Sequence, residues 1–221
     1  MTNMEGRYSL GEKVSLAARD ALLSRLGGEE WPFDPLLDLV EVPPTADLLD
    51  VGAGDGRFLQ TLRTRGHVAR LVGLDPLPGS PEVARGEASD LPFADGSFDL
   101  VTLVRVLGHL PDPLTALAEA RRVVRLGGRV VLAAHGGDHL RETWRRVLGR
   151  TPGVPGPEAV LREAITQAGW VASRPDARLP VTLTAGDVEV LVTASGAHDD
   201  VPQTAFPVRD TLHLALYVAR F

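Results

Sequence analysis

Residues 48–56 read LLDVGAGDG, and this segment determines which fold the 221-residue chain can adopt. Its first four residues are typical of a short buried strand, and a helical pattern begins directly after it at Arg57. A strand, a glycine-rich turn and a helix in this order let the backbone pass close to a ligand, while the helix N-terminus offers unpaired N–H groups. The segment therefore predicts a loop that binds a polar or anionic ligand.

The segments around this loop alternate between two patterns. Helical patterns lie at residues 57–65 and 113–125, and apolar runs with the length of strands occupy residues 46–51, 68–74, 98–103 and 128–134. Strands that are apolar throughout and alternate with helices are typical of a parallel sheet that is covered on both faces. The last run alternates large apolar with other residues from Leu212 to Val218, which indicates a strand with two different faces. We therefore predict an α/β, doubly wound, mostly parallel sheet with an antiparallel C-terminal edge strand.

The remaining segments suggest how the chain is divided. An apolar stripe within residues 14–22 and a short helix around residues 35–40 predict a helical arm over residues 1–45. One α/β domain would occupy residues 46–221, with lid or substrate-binding insertions around residues 136–157 and 175–208. Within the second insertion, the capping-box spacing of Thr184 and Asp187 predicts a short helix over residues 186–195.

Composition narrows the possible functions. The formal net charge of −6 and the pI near 5.5 disfavour non-specific binding to nucleic acid or to a membrane surface. The chain has no cysteine, which excludes disulfides, a cysteine zinc site and a thiol nucleophile, and we expect no metal site. The first ten residues have no apolar signal core and the apolar runs are too short for a bilayer, so we expect a cytoplasmic protein.

The spacing of the glycines separates two classes of nucleotide-binding loop. The dinucleotide fingerprint is G-x-G-x-x-G, whereas this loop reads G-x-G-x-G, with Arg57 where the third glycine would stand. NAD is therefore disfavoured. Asp75 ends the next apolar run, where a carboxylate can accept hydrogen bonds from ribose hydroxyls. The alternative is that Asp75 forms an Asx-turn with Pro76 next to it.

Four motifs occur together in order: residues 50–56, Asp75, LPFADGSFD at residues 91–99, and RRVVRLGG at residues 121–128. With them the chain resembles class I S-adenosylmethionine-dependent methyltransferases of the ubiquinone-biosynthesis-like group, also called the methyltransferase-11 group. The resemblance covers about residues 46–134. It implies a Rossmann-like fold, S-adenosyl-L-methionine as cofactor and methyl transfer as the activity.

The resemblance also implies which residues hold the cofactor. Those residues are Asp50, Gly52, Ala53 and Gly54 for the methionine part, Asp75 for the ribose, Pro76 and Leu77 beside the adenine, Glu87 and Ala88 at the adenine edge, and Arg105 below the cofactor. Two departures from the family are evident. The prolines of residues 76–81 leave no room for the helix that most members carry there, which predicts a more open adenine pocket or one covered by the N-terminal arm. Glu87 also replaces the commoner aspartate.

The acceptor is less constrained than the cofactor. The segment from Ala133 to Glu142, with the later capping-box helix, is similar to the tail of ribosomal-RNA guanine-N1 methyltransferases. Those enzymes carry a cysteine zinc module, which this chain lacks. From the acidic balance and the proline-rich stretches at residues 107–113 and 151–157, a small-molecule acceptor is favoured. Ribosomal RNA is the runner-up, and a non-catalytic protein that binds S-adenosylmethionine or S-adenosylhomocysteine is a third possibility.

Three histidines follow the fourth and fifth strands, at the edge where open α/β sheets bind ligands: His109, His135 and His139. His135 is the preferred catalytic base because it directly follows a strand and an imidazole titrates near neutrality. For each, a solvated or helix-capping histidine is the alternative. The arginines between residues 141 and 150 form either a basic face or a solvated helix face, and Trp144 lies between them.

Overall fold

A computed structural model describes residues 10–148, 156–194 and 206–221, with side chains described from residue 17 onward. The chain divides into two compact units. The core unit comprises residues 36–137, 156–177 and 214–221, and the second unit comprises residues 10–35, 138–148, 178–194 and 206–213. The expected division into an arm over residues 1–45 and a domain over residues 46–221 stays a prediction. No described helix is long and apolar enough to cross a membrane.

The core unit is built on a mostly parallel sheet. In chain order its strands are β1 (Leu48–Val51), β2 (Leu71–Asp75), β3 (Val83–Arg85), β4 (Phe98–Val104), β5 (Val124–His135) and β6 (Ala172–Ser173), together with the second half of β8 (Val208–Arg220). The order across the sheet is β3-β2-β1-β4-β5-β8-β6. The first five strands in this order are parallel, and β8 is antiparallel to both β5 and β6. The predicted fold class is confirmed, with one correction: the C-terminal strand β8 is antiparallel but does not lie at the edge, because β6 pairs with it on the side away from β5.

The helices of the core unit cover the sheet with apolar faces. They are α3 (Arg57–Thr64), α4 (Pro113–Val123) and α6 (Pro157–Gln167), with a single 3-10 turn at Leu107–His109. The helix α4 begins where Asp112 accepts hydrogen bonds from the backbone N–H groups of Leu114 and Thr115, both at 3.1 Å, and Pro113 occupies its first turn. Buried residues of α4 and α6 join the strand residues in one apolar cluster that includes Phe98 and Leu103.

The second unit contains three helices and the strand β7. Its helices are α1 (Leu10–Gly27), α5 (Arg141–Leu148) and α7 (Ala185–Ala194), and β7 (Asp176–Leu183) pairs with β8. The capping box is present, since the Thr184 N–H donates to Asp187 at 2.8 Å and the Asp187 N–H donates to the Thr184 hydroxyl at 3.3 Å. This confirms the predicted helix. The helix α2 (Phe33–Leu39) joins the second unit to the core unit along the chain.

Two features differ from the sequence-based expectations. Strands β3 and β7 were not predicted from the sequence. The stretch between Asp75 and Val83 contains no helix, as its prolines predicted. Parts of both expected insertions, at residues 149–155 and 195–205, lie outside the described residues, and so does Arg150.

Candidate cofactor site

The parallel strands end at one edge of the core unit, which we call the carboxyl edge. In the order β2-β1-β4-β5, strand β2 follows β1 in the chain and lies on one side of it, whereas the later strands β4 and β5 lie on the other side. The direction of winding therefore reverses beside β1. Open α/β sheets bind ligands in the crevice at such a switch point. The glycine loop, Asp75, Arg105 and His135 each follow or end one of these four strands.

The glycine loop is held against the end of β2. The N–H groups of Gly52 and Ala53 both donate to the carbonyl oxygen of Leu74, at 2.7 and 3.1 Å. Gly52, Gly54 and Gly56 all have φ between 58° and 82°, the left-handed region that side chains other than glycine rarely adopt. The loop conformation therefore requires its three glycines at alternate positions.

Gly52 and Gly54 differ in the space available for a side chain. A Cβ atom at Gly52 would lie 2.3 Å from the Cγ2 atom of Val106, so this glycine is needed for packing inside the protein. A Cβ atom at Gly54 would meet no atom within 4 Å. Open space therefore lies over Gly54, on the side of the loop where a ligand can approach the backbone.

The Asp75 side chain faces the glycine loop and forms a hydrogen bond with it. One carboxylate oxygen accepts a hydrogen bond from the Gly54 N–H at 3.0 Å, and the other accepts one from the Leu77 N–H at 2.8 Å. The bond to Leu77 is an Asx-turn, so that alternative interpretation of Asp75 holds. Each carboxylate oxygen can accept a further hydrogen bond, because the group offers about four lone-pair sites. The Asx-turn is thus compatible with a ligand hydroxyl on the same side chain.

Asp50 is buried inside strand β1, with only 3% of its surface exposed. Its carboxyl oxygen accepts a hydrogen bond from the Thr102 hydroxyl at 2.7 Å. Burial raises the pKa of Asp50 to about 7; the Thr102 bond opposes this rise and the negative charge of Asp75 adds to it. Two carboxyl groups at the ends of adjacent strands therefore differ in environment, one buried and one half-exposed.

The segment expected to flank an adenine ring folds back onto the glycine loop. The Gly79 N–H donates to the Gly54 carbonyl oxygen at 2.8 Å, and a Cβ atom at Gly79 would lie 3.1 Å from the Cα atom of Asp55. Leu77 is half-buried and Pro76 is exposed. Sequence reasoning missed Gly79, although a glycine between prolines is a signal for such a close backbone approach.

The other two residues expected near the adenine lie after β3. Ala88 is buried, whereas Glu87 is exposed and its carbonyl oxygen accepts a hydrogen bond from the Asp90 N–H at 3.2 Å. The Gly86 N–H donates to the Asp75 carbonyl oxygen at 3.2 Å, which ties this segment to the end of β2. Glu87 and Ala88 directly follow Gly86 in the chain, so this bond keeps them near Asp75.

Arg105 follows β4 in a left-handed conformation, with φ of 60°. A residue other than glycine in this region is uncommon and costs conformational energy, and such strain clusters at functional sites. The Arg105 N–H donates to the carbonyl oxygen of Ala133 at 2.7 Å, which holds the turn against β5. The turn presents the next residue, Val106, to Gly52. Sequence reasoning did not identify Val106, because only long-range packing reveals it.

The three candidate histidines are separated in the structure. His135 is the last residue of β5, pairs in register with Leu214 and is half-buried. His109 ends the 3-10 turn after β4, and its side chain is exposed. His139 belongs to the second unit, where its ring stacks on Trp31 with ring centroids 5.8 Å apart and its Nδ1 accepts a hydrogen bond from the His213 N–H at 3.2 Å. His139 therefore has a structural role there.

The basic residues of α5 pair with an acid of the same helix. Arg145 and Arg146 both donate to the carboxylate of Glu142, at 2.7–2.9 Å, and these contacts lower the pKa of Glu142 to about 2. Trp144, which lies between Glu142 and Arg145 in the chain, is half-buried. This arrangement favours the solvated helix face over a basic binding surface.

The chain is similar to known methyltransferases. Residues 49–132 match the family described as "Methyltransferase domain". A demethylmenaquinone methyltransferase of Bacillus licheniformis is 36% identical over 112 residues, which cover 44% of this chain and 48% of that protein. A malonyl-[acyl-carrier protein] O-methyltransferase of Serratia marcescens is 34% identical over 127 residues, which cover 52% of this chain and 49% of that protein. The chain thus spans about half the length of these two curated relatives.

A solved structure resembles the chain over nearly its whole length. It is a protein described as "the putative methyltransferase" in complex with the Haloferax volcanii Trm112 methyltransferase activator. The TM-score is 0.59 at 21% sequence identity, and the match covers 97% of this chain and 99% of that one. This likeness supports the fold.

The residues at the carboxyl edge fit a cofactor of the methyltransferase family. Open space over Gly54 lies beside a carboxylate that can still accept hydrogen bonds, as a ligand with ribose hydroxyls requires. The loop conformation, the family match over residues 49–132 and the strand order agree with one another. Residues 49–132 therefore resemble the core of class I S-adenosylmethionine-dependent methyltransferases, a family whose cofactor is S-adenosyl-L-methionine.

Proposed function

We propose that this chain transfers the methyl group of S-adenosylmethionine to a small-molecule acceptor. The observation that carries the proposal is the pairing of Asp75 with the Gly54 N–H at 3.0 Å, beside open space over Gly54. Bound S-adenosylmethionine supplies a methyl group activated by the positive charge of a sulfonium. The remaining work of the protein is to bind, to orient and to handle the acceptor's proton.

The glycine loop and Asp75 would hold the cofactor. Asp75 accepts hydrogen bonds from two ribose hydroxyls through the lone pairs that Gly54 and Leu77 leave available. Gly52, Ala53 and Gly54 lie against the methionine part, where the missing side chain of Gly54 allows close approach. Asp50, just behind the loop, can compensate a nearby positive charge once it is ionised.

The other proposed residues contact the adenine or close the site below the cofactor. Pro76 and Leu77 flank the adenine ring, while Ala88 and Glu87 lie at its polar edge. Arg105 closes the site below the cofactor, in the strained turn that also positions Val106. Glu87 is exposed, so it can bind adenine only from the solvent side of the pocket.

His135 is the proposed general base. It ends β5 at the carboxyl edge, and its imidazole would take the proton that the acceptor loses on methylation. Because the displacement itself depends mainly on positioning, this proton transfer is an aid to the reaction rather than its driving step.

A small acceptor is favoured over RNA by two lines of support. The relatives named above act, by their names, on demethylmenaquinone and on a malonyl group carried by acyl-carrier protein. The net charge of −6 disfavours broad contact with phosphates. A cytoplasmic location is part of the same proposal. Ribosomal RNA would replace the small acceptor if RNA copurified stoichiometrically and was lost at high salt.

Calorimetry with S-adenosylmethionine and with S-adenosylhomocysteine tests the proposal. We expect both to bind, and NAD and flavin mononucleotide not to bind. Binding of NAD or the flavin in their place would overturn it. Turnover, followed as S-adenosylhomocysteine released in the presence of candidate small acceptors, separates the enzyme from a protein that only binds the cofactor.

A further inference from the structure

The edge of the core sheet opposite the carboxyl edge, which we call the amino edge, carries an irregular segment. Phe98 and Leu100 on β4 are separated by one residue, whereas their register partners on β5, Val124 and Arg129, are separated by four residues. Residues 125–128 therefore bulge out of the sheet. Gly127 has φ of 82°, and a Cβ atom at Gly128 would lie 2.8 Å from the carbonyl oxygen of Asp99. Both glycines of the RLGG motif are needed to form this bulge.

The bulge forms one wall of an open depression of about 410 Å³. Five charged side chains line it, and they are Glu41, Asp99, Arg125, Arg129 and Arg220. Its volume lies within the range of small-molecule sites, and all its residues belong to the core unit. The cofactor loop lies at the other end of the same strands, so this depression is distinct from the proposed cofactor site.

The arginines of the depression are not equally compensated. Arg125 donates to Asp99 at 2.7 Å and to Asp47 at 3.1 Å, so its charge is neutralised locally. Arg129 donates to a backbone carbonyl oxygen, that of Glu41, at 2.6 Å. Within the described part of the chain, Arg220 forms no ion pair. Among the described residues, Arg129 and Arg220 therefore lack the ion pairs that neutralise Arg125, although the carboxylate of Glu41 lies in the same depression.

Arg129 and Arg220 also repel each other. They are register partners on the antiparallel strands β5 and β8, so both side chains leave the same face of the sheet from directly opposite positions. Like charges in such a pair are destabilising. Burial lowers the pKa of Arg129, and the neighbouring charge of Arg220 lowers it further, while the carboxylate of Glu41 opposes this shift. An anion between the two guanidinium groups would relieve this repulsion.

We propose that the depression binds a small oxyanion, a phosphate or carboxylate group, between Arg129 and Arg220. Two guanidinium groups present planar sets of N–H donors that match the oxygens of such a group and can bind it in a bidentate way. Glu41 limits the affinity, because its exposed carboxylate lies at the rim of the same depression. The proposal does not depend on the methyltransferase activity.

Thermal unfolding of the full chain tests this site. Inorganic phosphate, compared with chloride at equal ionic strength, is expected to raise the unfolding midpoint by about 5–10 °C when phosphate exceeds its dissociation constant about a hundredfold. Phosphate stabilises many proteins weakly through exclusion from their surface, so the decisive quantity is the difference between variants. The matched control is Arg85→Gln, which removes an exposed strand arginine elsewhere in the core unit.

Arg220→Gln and Arg129→Gln should change the midpoint in two ways. In chloride we expect Arg220→Gln to raise it by about 1–3 °C, because the like-charge pair is gone. In phosphate we expect both variants to lose most of the rise that the parent chain and Arg85→Gln show. Glu41→Gln should enlarge the rise. An equal rise in all variants, or a lower midpoint of Arg220→Gln in chloride, would overturn the proposal.

A second set of ligands distinguishes the source of the oxyanion. Glycerol phosphate and acetate replace inorganic phosphate in the same titration of the parent chain and of Arg220→Gln. A larger rise with glycerol phosphate indicates a phosphorylated metabolite, and a larger rise with acetate indicates a carboxylate. If none of the three ligands produces a rise that depends on Arg220, there is no oxyanion site.

Discussion

Asp75 has two tasks, so its removal should have two measurable effects. Asp75→Ala deletes the acceptors for Gly54 and Leu77 and also the proposed ribose contacts. We expect cofactor affinity to fall by about 1.5–3 kcal/mol, the usual cost of losing hydrogen bonds to a charged group. We also expect the free energy of unfolding to fall by about 1–3 kcal/mol. Calorimetry and urea unfolding measure the two quantities.

Asp38→Asn is the matched control for Asp75→Ala. Its side chain is 61% exposed and forms an ion pair with Arg65 at 2.8 Å. We expect both affinity and stability to stay within about 0.5 kcal/mol of the parent chain. Full cofactor affinity in Asp75→Ala would refute the assignment of Asp75 to the ribose.

Gly52 and Gly54 should fail for different reasons when each is replaced by alanine. At Gly52 the new Cβ would clash with Val106 at 2.3 Å, so we expect a loss of stability of about 2–4 kcal/mol in addition to the cost of its positive φ. At Gly54 only the cost of positive φ, about 1–2 kcal/mol, affects folding, and the Cβ fills the space left for the ligand.

The two alanine variants are compared by urea unfolding and by calorimetry with S-adenosylhomocysteine. Gly54→Ala should remain folded and lose cofactor binding, whereas Gly52→Ala should be the less stable of the two. The interpretation fails if Gly54→Ala binds the cofactor as tightly as the parent chain does.

His135 should affect turnover and not cofactor affinity. If it is the base, His135→Ala lowers kcat by about 10²–10⁴-fold, the usual contribution of a positioned base, and leaves the calorimetric Kd almost unchanged. His109→Ala is the control, since His109 is exposed on the turn after β4. Full turnover by His135→Ala would show that the acceptor needs no base at this position.

Asp50 makes stability depend on pH in a direction opposite to that of most carboxylates. Its pKa is raised by burial to about 7, so between pH 4 and 7 the folded chain keeps a proton that the unfolded chain releases. The free energy of unfolding should therefore fall as pH rises through this window and stay level above it. The total fall is a few kcal/mol at most, since one pKa unit corresponds to about 1.4 kcal/mol.

Asp50→Asn isolates this effect because the amide can keep the Thr102 bond and cannot ionise. The stability of the variant relative to the parent chain, measured by urea unfolding without cofactor, should increase from pH 4 to 7. A constant difference across these pH values would mean that Asp50 is ionised throughout.

At the scale of helices and strands, the sequence predicted the elements whose capping residues or apolar patterns lie within their own segments. The capping residues Asp112 and Thr184 identify the starts of α4 and α7, and the apolar runs identify β1, β2 and β4. Strand β3 has three residues, of which only Val83 is buried, so it shows no periodicity. Its place is set by pairing with β2, which is a contact between segments.

Strand β5 shows how a bulge misleads sequence reasoning. Its first four residues, Val124 to Gly127, carry a glycine and an arginine, and the apolar run was expected to begin only at Gly128. The structure continues the strand through the bulge because Arg125 is anchored to Asp99 and Asp47. The two carboxylates that compensate Arg125 belong to other segments of the chain, so the residues around Arg125 do not indicate that it lies in a strand.

At the scale of the molecule, the strand order explains which site residues could be predicted. Residues 50–56, Asp75, Arg105 and His135 follow strand ends, and parallel strands bring such ends to one edge. Val106 could not be predicted, because it matters through its contact with Gly52, which only the folded chain creates. Gly79 had only the local signal of a glycine between prolines, and its bond to Gly54 joins two separate segments. The positive charge of Arg129 and Arg220 was missed for the same reason, since their proximity depends on the register of β5 and β8.

The same sheet carries both proposed sites, and their separation predicts that they act independently. From Arg129 to His135 strand β5 rises by about 20 Å, at roughly 3.3 Å per residue. Effects at sites more than about 10 Å apart with no shared partners add within about 0.5 kcal/mol. S-adenosylhomocysteine and phosphate should therefore raise the unfolding midpoint additively. Asp75→Ala should remove only the first increase and Arg220→Gln only the second. A phosphate response that vanished in Asp75→Ala would instead show that both ligands use the carboxyl edge, and the site between Arg129 and Arg220 would have to be abandoned.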